Sequence, residues 1–264
     1  MSSSVTAMNL TSDEIVVLVG SYFWPFCRIA AFVTAAPIFG AKTVPMQVKL
    51  AFAILLTVAV APVTEFSPEP FNVDGAALFV TLQQVIIGLA MGYALTVVFA
   101  AFVSGGQMVG QMSGLGFAAM VDPQNGVQVP VVSQFYQLLA LLIFLAIDGH
   151  LVVIQVLVDS FSVLPVGADG LSRDGIWLLI KWSSWIFFGA VLIALPAVSA
   201  MLVVNISFGV MSRASPQLNI FAVGFPFMII LGFVGMSLTI PSTYPRLVEL
   251  LERAIATMHG MMGG

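Results

Sequence analysis

The residues able to do chemistry in this 264-residue chain are few and far apart. Asp148 and His150, in FLAIDGHLVV, set an acid and a base two positions apart within a largely apolar stretch. Such a pair suits a proton relay, or the acid–base half of a hydrolase that also has a serine nucleophile. A relay needs further acids at membrane depth, and the other long apolar runs supply none. The pair is therefore expected to form a polar helix break at an interface. Arg28, in WPFCRIAAF, also lies inside an apolar run, where a charge costs several kcal/mol unless it is satisfied. An acid on another helix, the carbonyls of a broken helix or a neighbouring subunit would each satisfy it, and a structural role is expected. Cys27 is the single cysteine, so neither an intrachain disulfide nor a cysteine metal cluster can form. His150 and His259 are far apart, neither has metal-ligand spacing, and no GxSxG, HExxH or Walker loop occurs. The chain is expected not to be an enzyme, and to need no cofactor and no metal.

The stronger candidate is a segment rather than a side chain. Residues 105 to 126 read GGQMVGQMSGLGFAAMVDPQNG, with six glycines, three methionines and one charge, Asp122. Gly106, Gly110 and Gly114 follow one another at i+4, with Gly116 two further on. Glycine weakens a helix by about 1 kcal/mol relative to alanine, so an irregular, deformable backbone is expected over 105 to 121. Met108, Met112 and Met120 are unbranched and fill irregular gaps. Gln107 and Gln111 are expected to satisfy exposed backbone groups. Irregular backbone at membrane depth is tolerated only inside protein or along a cavity. One reading is a loose apolar segment closing an aqueous path; the other is an ordinary re-entrant or surface loop. Gly88 and Gly92 form a separate GxxxG, for which close helix packing is a sufficient account.

The elements that must position these residues are membrane helices. Sixty per cent of the chain is hydrophobic and only 8% is charged, where a soluble domain carries about a quarter charged residues. The net charge is −4 and the eight basic residues are scattered, so nothing favours nucleic-acid binding. The first twenty residues hold no Lys or Arg, unlike the basic start of a cleaved signal peptide. Six apolar runs are expected as helices: Ile15 to Gly40, Leu50 to Val63, Ala76 to Val103, Val129 to Ile147, Ile176 to Phe208 and Leu218 to Ile240. A short piece, Leu151 to Val158, follows the fourth. A span needs about 20 residues, so the second run is short. Residues 242–264 form an amphipathic tail with Leu247, Leu251, Ala254 and Met258 on one stripe and Glu249 facing Arg253. It is expected to lie on a membrane, dock on a partner or fray as a surface helix. Lys42, Lys49 and Arg213 on one side of a six-span arrangement, against Arg173, Arg246, Arg253 and Lys181 on the other, leave orientation poorly encoded.

Three stretches carry a family resemblance: FGAKTVPMQVKLAFA, GQMSGLGFAAMVDPQNGVQVPVVSQF and LLIFLAIDGHLVVIQVLVDSFSVLP. The chain resembles the FliR/SctT family of type III secretion export-gate proteins, specifically from Trp24 to Pro165 and more loosely beyond. Asn125 in DPQNG and Leu151 after DGH are small departures, and the flagellar branch is the nearer one. The resemblance implies a single all-α export-gate domain over residues 1–264, whose partly broken helices form hairpins. It implies one copy joined to several copies each of FliP and FliQ homologues in a helical hetero-oligomer. That assembly is raised from the inner membrane toward the periplasmic side, in the flagellar basal body. FlhB would wrap its entrance, FlhA would energise export, and unfolded flagellar subunits would pass through its centre. It also implies that Gly106 to Val121 forms a plug, with Gly106, Met108, Gly110, Met112, Gly114, Leu115, Gly116, Phe117 and Met120 in the pore. Asp122 would then end the plug, and Arg28, Asp148 and His150 would be structural or interface polar groups. The rival from another class is a secondary transporter for a small solute, which paired breaks in two halves of the chain would favour.

Overall fold

A computed structural model of the protein describes residues 12–41, 44–62, 75–115, 130–167, 170–214 and 220–263, with side chains withheld for 12–19 and 220–223. Eight helices follow one another among the described residues: α1 (Ser12–Ala35), α2 (Met46–Val60), α3 (Gly75–Met112), α4 (Val131–Ala146), α5 (Gly149–Val163), α6 (Arg173–Trp182), α7 (Trp185–Ala214) and α8 (Ile220–Gly263). The fold is all-α, as the apolar runs dictate. Among the described residues, three stretches are long and apolar enough to cross a membrane, Gly75–Met112, Arg173–Ala214 and Gly224–Gly263, or four if the bent pair Val131–Ala146 and Gly149–Val163 counts as one span. At 15 residues, α2 is shorter than a span.

Several boundaries differ from those expected. The fourth run and the short piece after it are α4 and α5, which meet at a bend of 71°. The bend falls at Asp148, whose φ of 56° lies in the left-handed region. Its carbonyl accepts from Leu151 N at 2.9 Å and so starts α5. The sixth run and the tail are one helix. The expected stripe of Leu247, Leu251, Ala254 and Met258 is buried within the chain rather than laid on a membrane, because α8 packs along α7. Near Gly189 of α7, a Cβ would lie 3.5 Å from Leu250, and the Arg253 guanidinium sits 4.4 Å over the Trp185 ring. Glu249 faces Arg253 at 3.2 Å and also Arg246 at 3.0 Å, which marks a water-facing side on this half of α8. At 44 residues, α8 is about 66 Å long, roughly twice a hydrocarbon core.

The chain divides into two compact units, one made of residues 1–93, 154–176 and 259–264, the other of 94–153 and 177–258. In the first, α1 packs on the early turns of α3 around Ile29, Phe32, Ile87, Met91 and Leu157. Gly88 and Gly92 lie on that seam: a Cβ on Gly88 would be 2.2 Å from the Arg28 carbonyl, and one on Gly92 2.6 Å from Ala35 Cβ. The core of the second unit combines the later turns of α3 with α4, α7 and α8. Phe99 and Phe144 meet edge to face at 5.6 Å, and Trp182 Nε1 donates to Ala94 O at 2.9 Å.

Candidate functional site

The last turns of α3 hold the residues singled out by their glycine and methionine content. The helix continues through them to Met112, so residues 105–112 are helical and not the irregular segment expected from glycine density. Packing offsets the glycine penalty. A Cβ on Gly105 would meet Ala190 O of α7 at 3.1 Å. On Gly106 it would meet Ser133 Cα of α4 at 2.8 Å, and on Gly110 the Val132 Cβ at 3.3 Å. The missing side chains therefore let two neighbouring helices come close. Ser113 Cβ in turn occupies the space that a Cβ on Gly232 of α8 would need. The helix ends at Gly114, whose φ of 74° suits glycine, with Ser113 N donating to Val109 O and Gly114 N to Gln111 O.

These contacts give the end of α3 two unlike faces. Phe102, Gly105, Gly106, Val109, Gly110 and Ser113 are buried. Gln107, Gln111 and Met112 on the opposite face are exposed, and Ser104, Met108 and Leu115 half-exposed. The backbone is already satisfied by the helix up to Met112, so the two amides are left facing outward instead of serving exposed backbone groups. This open face carries amide, hydroxyl and thioether groups and no charge. Unsatisfied amides facing hydrocarbon are costly, so the face suits water or a polar partner better than lipid tails. Gly116, Phe117, Met120 and Asp122 lie outside the described residues.

Arg28 has a different setting. It is fully buried and its guanidinium is bound by carbonyls rather than by an acid. Nε donates to Gln84 Oε1 at 2.8 Å, Nη1 to Ser160 O at 2.9 Å and to Ser160 Oγ at 3.1 Å, and Nη2 to Leu164 O at 2.9 Å. Ser160 donates its own proton to Leu157 O, which leaves its oxygen free to accept from Arg28. The Phe161 ring lies 4.3 Å below. Arg28 thus fastens α1 and α3 to the C-terminal end of α5, where orphan carbonyls and the helix dipole favour a cation. Gln84 and the α5 carbonyls were not legible as partners, since Gln84 is one amide in an apolar run and a carbonyl leaves no mark in a sequence. Asp148 is exposed at the α4–α5 bend, and His150 Nδ1 is buried there without a hydrogen-bond partner among the described residues. The structure brings neither of them to Arg28.

Comparison with known proteins gives the chain a family. The family model for bacterial export proteins, family 1, matches residues 19–254. The chain is 36% identical over 238 residues to the flagellar biosynthetic protein FliR of Escherichia coli K12, covering 90% of this chain and 91% of that protein. It is 36% identical over 239 residues to FliR of Pectobacterium carotovorum, covering 90% and 91%. FliR of Bacillus subtilis is 25% identical over 254 residues, covering 95% and 97%.

Proposed function

We propose, because this chain belongs to bacterial export protein family 1, that it is a component of the flagellar type III export gate in the bacterial inner membrane. With FliP and FliQ homologues it forms the channel through which unfolded flagellar subunits leave the cytoplasm. FlhB and FlhA homologues act at its cytoplasmic side. Within Gly106 to Val121, the end of α3 lines the pore and the residues from Leu115 onward close it when no subunit is passing.

The observation that carries this reading is the open amide–thioether face at the end of α3. A conduit wall must tolerate water and polypeptide without binding either tightly, and uncharged amides and methionines meet both demands. The packed glycines on the opposite face hold that wall rigidly. Gly114, in its left-handed conformation, then releases the chain into the remainder of the plug. Apolar side chains there would exclude water from a narrow lumen by dewetting, as in other hydrophobic gates.

The packing of 105–113 dictates the test. Deleting Leu115 to Val121 removes the closing residues and keeps the buried face of α3. The membrane should become leaky to small ions while the complex still co-purifies. Normal assembly with unchanged ion conductance would contradict the plug.

A further inference from the structure

Behind the packed face of α3, two other helices of the second unit are tied to each other. Gly106 sits against α4, where a Cβ would lie 2.8 Å from Ser133 Cα and 2.9 Å from the Tyr136 ring. Two turns further on, α3 sits against α8. Ser113 Cβ lies 2.4 Å from where a Cβ on Gly232 would be, and one on Gly114 would lie 3.4 Å from the Phe225 ring. The last turns of α3 thus rest first on α4 and then on α8. These two supports are joined by side chains: the Tyr136 hydroxyl is hydrogen-bonded to Thr239 Oγ1 of α8. Thr239 gives its own proton to Met236 O at 2.7 Å, so Tyr136 is the donor and Thr239 the acceptor. Both side chains are buried, at 0% and 1% exposure. Ser133 and Tyr136 share one face of α4, and Gly232 and Thr239, seven residues apart, share one face of α8. Each helix therefore meets α3 and the other helix with the same face.

We infer that the Tyr136–Thr239 bond is a latch of the closed gate, with Tyr136 a positioning residue that acts on the plug through α3. The inference rests on the export-gate reading above, in which the residues from Leu115 onward close the pore. Those residues leave α3 at Gly114, so their placement follows from where the last turn of α3 is held. Parting α4 from α8 frees that turn, and parting them breaks this bond. The buried hydroxyl has no water to turn to, so the bond is either made or lost outright. One neutral hydrogen bond is weak enough to yield during transport and strong enough to bias the resting gate. Its net worth corresponds to about a fivefold change in the ratio of closed to open states. Gly106 couples the latch to the plug. Without a Cβ there, the Tyr136 ring lies directly on the α3 backbone, and a displacement of α3 moves the ring that carries the hydroxyl.

The test is the resting ion leak of cells carrying the full export apparatus, measured per copy of complex that co-purifies. Tyr136→Phe keeps the ring and deletes only the donor. It should raise the leak about fivefold and leave the amount of complex unchanged. Thr239→Val should leak as well, whereas Thr239→Ser, which keeps the accepting oxygen, should stay closed. Tyr136→Phe combined with Thr239→Val should leak no more than the stronger single variant, because both remove the same bond. Thr243→Val is the control: one turn along α8, it removes a buried hydroxyl that donates to Thr239 O of its own helix at 3.1 Å, and it should stay closed. An unchanged leak in Tyr136→Phe would overturn the latch. So would equal leaks in Thr239→Ser and Thr239→Val, or a leak in Thr243→Val as large as that in Tyr136→Phe. If Tyr136→Phe lowers the yield of complex, the serine and valine variants at position 239 decide. The gate reading stands if the Leu115–Val121 deletion leaks while the latch variants do not, and falls with the latch if neither leaks.

Discussion

The helix α3 carries two glycine pairs at i+4 spacing, and comparing them separates packing from function. Gly88 and Gly92 admit α1, and Gly106 and Gly110 admit α4. On their buried sides the two stretches do the same work. They differ on the sides facing away. Around the first pair, Leu82, Ile86, Leu89 and Tyr93 are the exposed residues, a mostly apolar stripe that suits lipid or another apolar helix. Around the second pair, the exposed residues are Gln107, Gln111 and Met112. Glycine spacing therefore identifies a close helix contact, while the residues across the helix tell what the segment faces. The first stretch is also locked by Arg28 through Gln84, at a polar junction that has no counterpart among the exposed groups of the second.

The comparison can be broken at several points. The largest effect is expected from Arg28→Ala, which leaves the Gln84 oxygen and the carbonyls of Ser160 and Leu164 buried without a donor. We expect a loss of about 1–3 kcal/mol for each stranded acceptor, read as a steep fall in the amount of complex that survives mild-detergent purification. Next comes Gly88→Val, where the added carbons meet the Arg28 carbonyl. It should cost about 3 kcal/mol in thermal stability, while Gly110→Ala, which meets only Val132 side-chain atoms, should cost under about 1 kcal/mol. Equal losses in both variants would mean that the Gly110 position is as crowded as the Gly88 position. Gly114→Ala forces a left-handed φ on a residue with a Cβ and should cost about 1 kcal/mol. A neutral result there would show that α3 does not need this stop. The smallest effect belongs to Gln111→Leu, which should shift stability by no more than about 0.5 kcal/mol because the side chain faces outward. Its mirror image, Leu89→Gln, should lower the level of inserted protein, since it sets an amide on the apolar stripe.

Much of the fold was legible in the sequence. Long uncharged runs such as Ala76 to Val103 can only be helices in a membrane, and Asp148-Gly149 marked the bend between α4 and α5. The end of α3 was read less well. Glycine propensity argued for irregular backbone, and tertiary contacts with Val132, Ser133 and Ala190 overrode it. A single sequence does not print which helices will be neighbours, so the gain that offsets each glycine was invisible. The tail was legible as an amphipathic helix but not in its placement: its stripe is buried within the chain, with Leu250 beside Gly189 of α7. The setting of Arg28 was half legible: its need for partners followed from its place in an apolar run, and broken-helix carbonyls were among the options. Only the fold selects the end of α5.

The central claim is that the far end of α3 faces a hydrated conduit while its earlier turns face apolar surroundings. Single cysteines at position 111 and at position 89, in a chain with Cys27→Ser, can be exposed to a water-soluble maleimide in the assembled complex. The account predicts labelling at 111 and protection at 89. Equal labelling at both positions, or a cysteine at 111 that only a lipid-soluble reagent can reach, would contradict it.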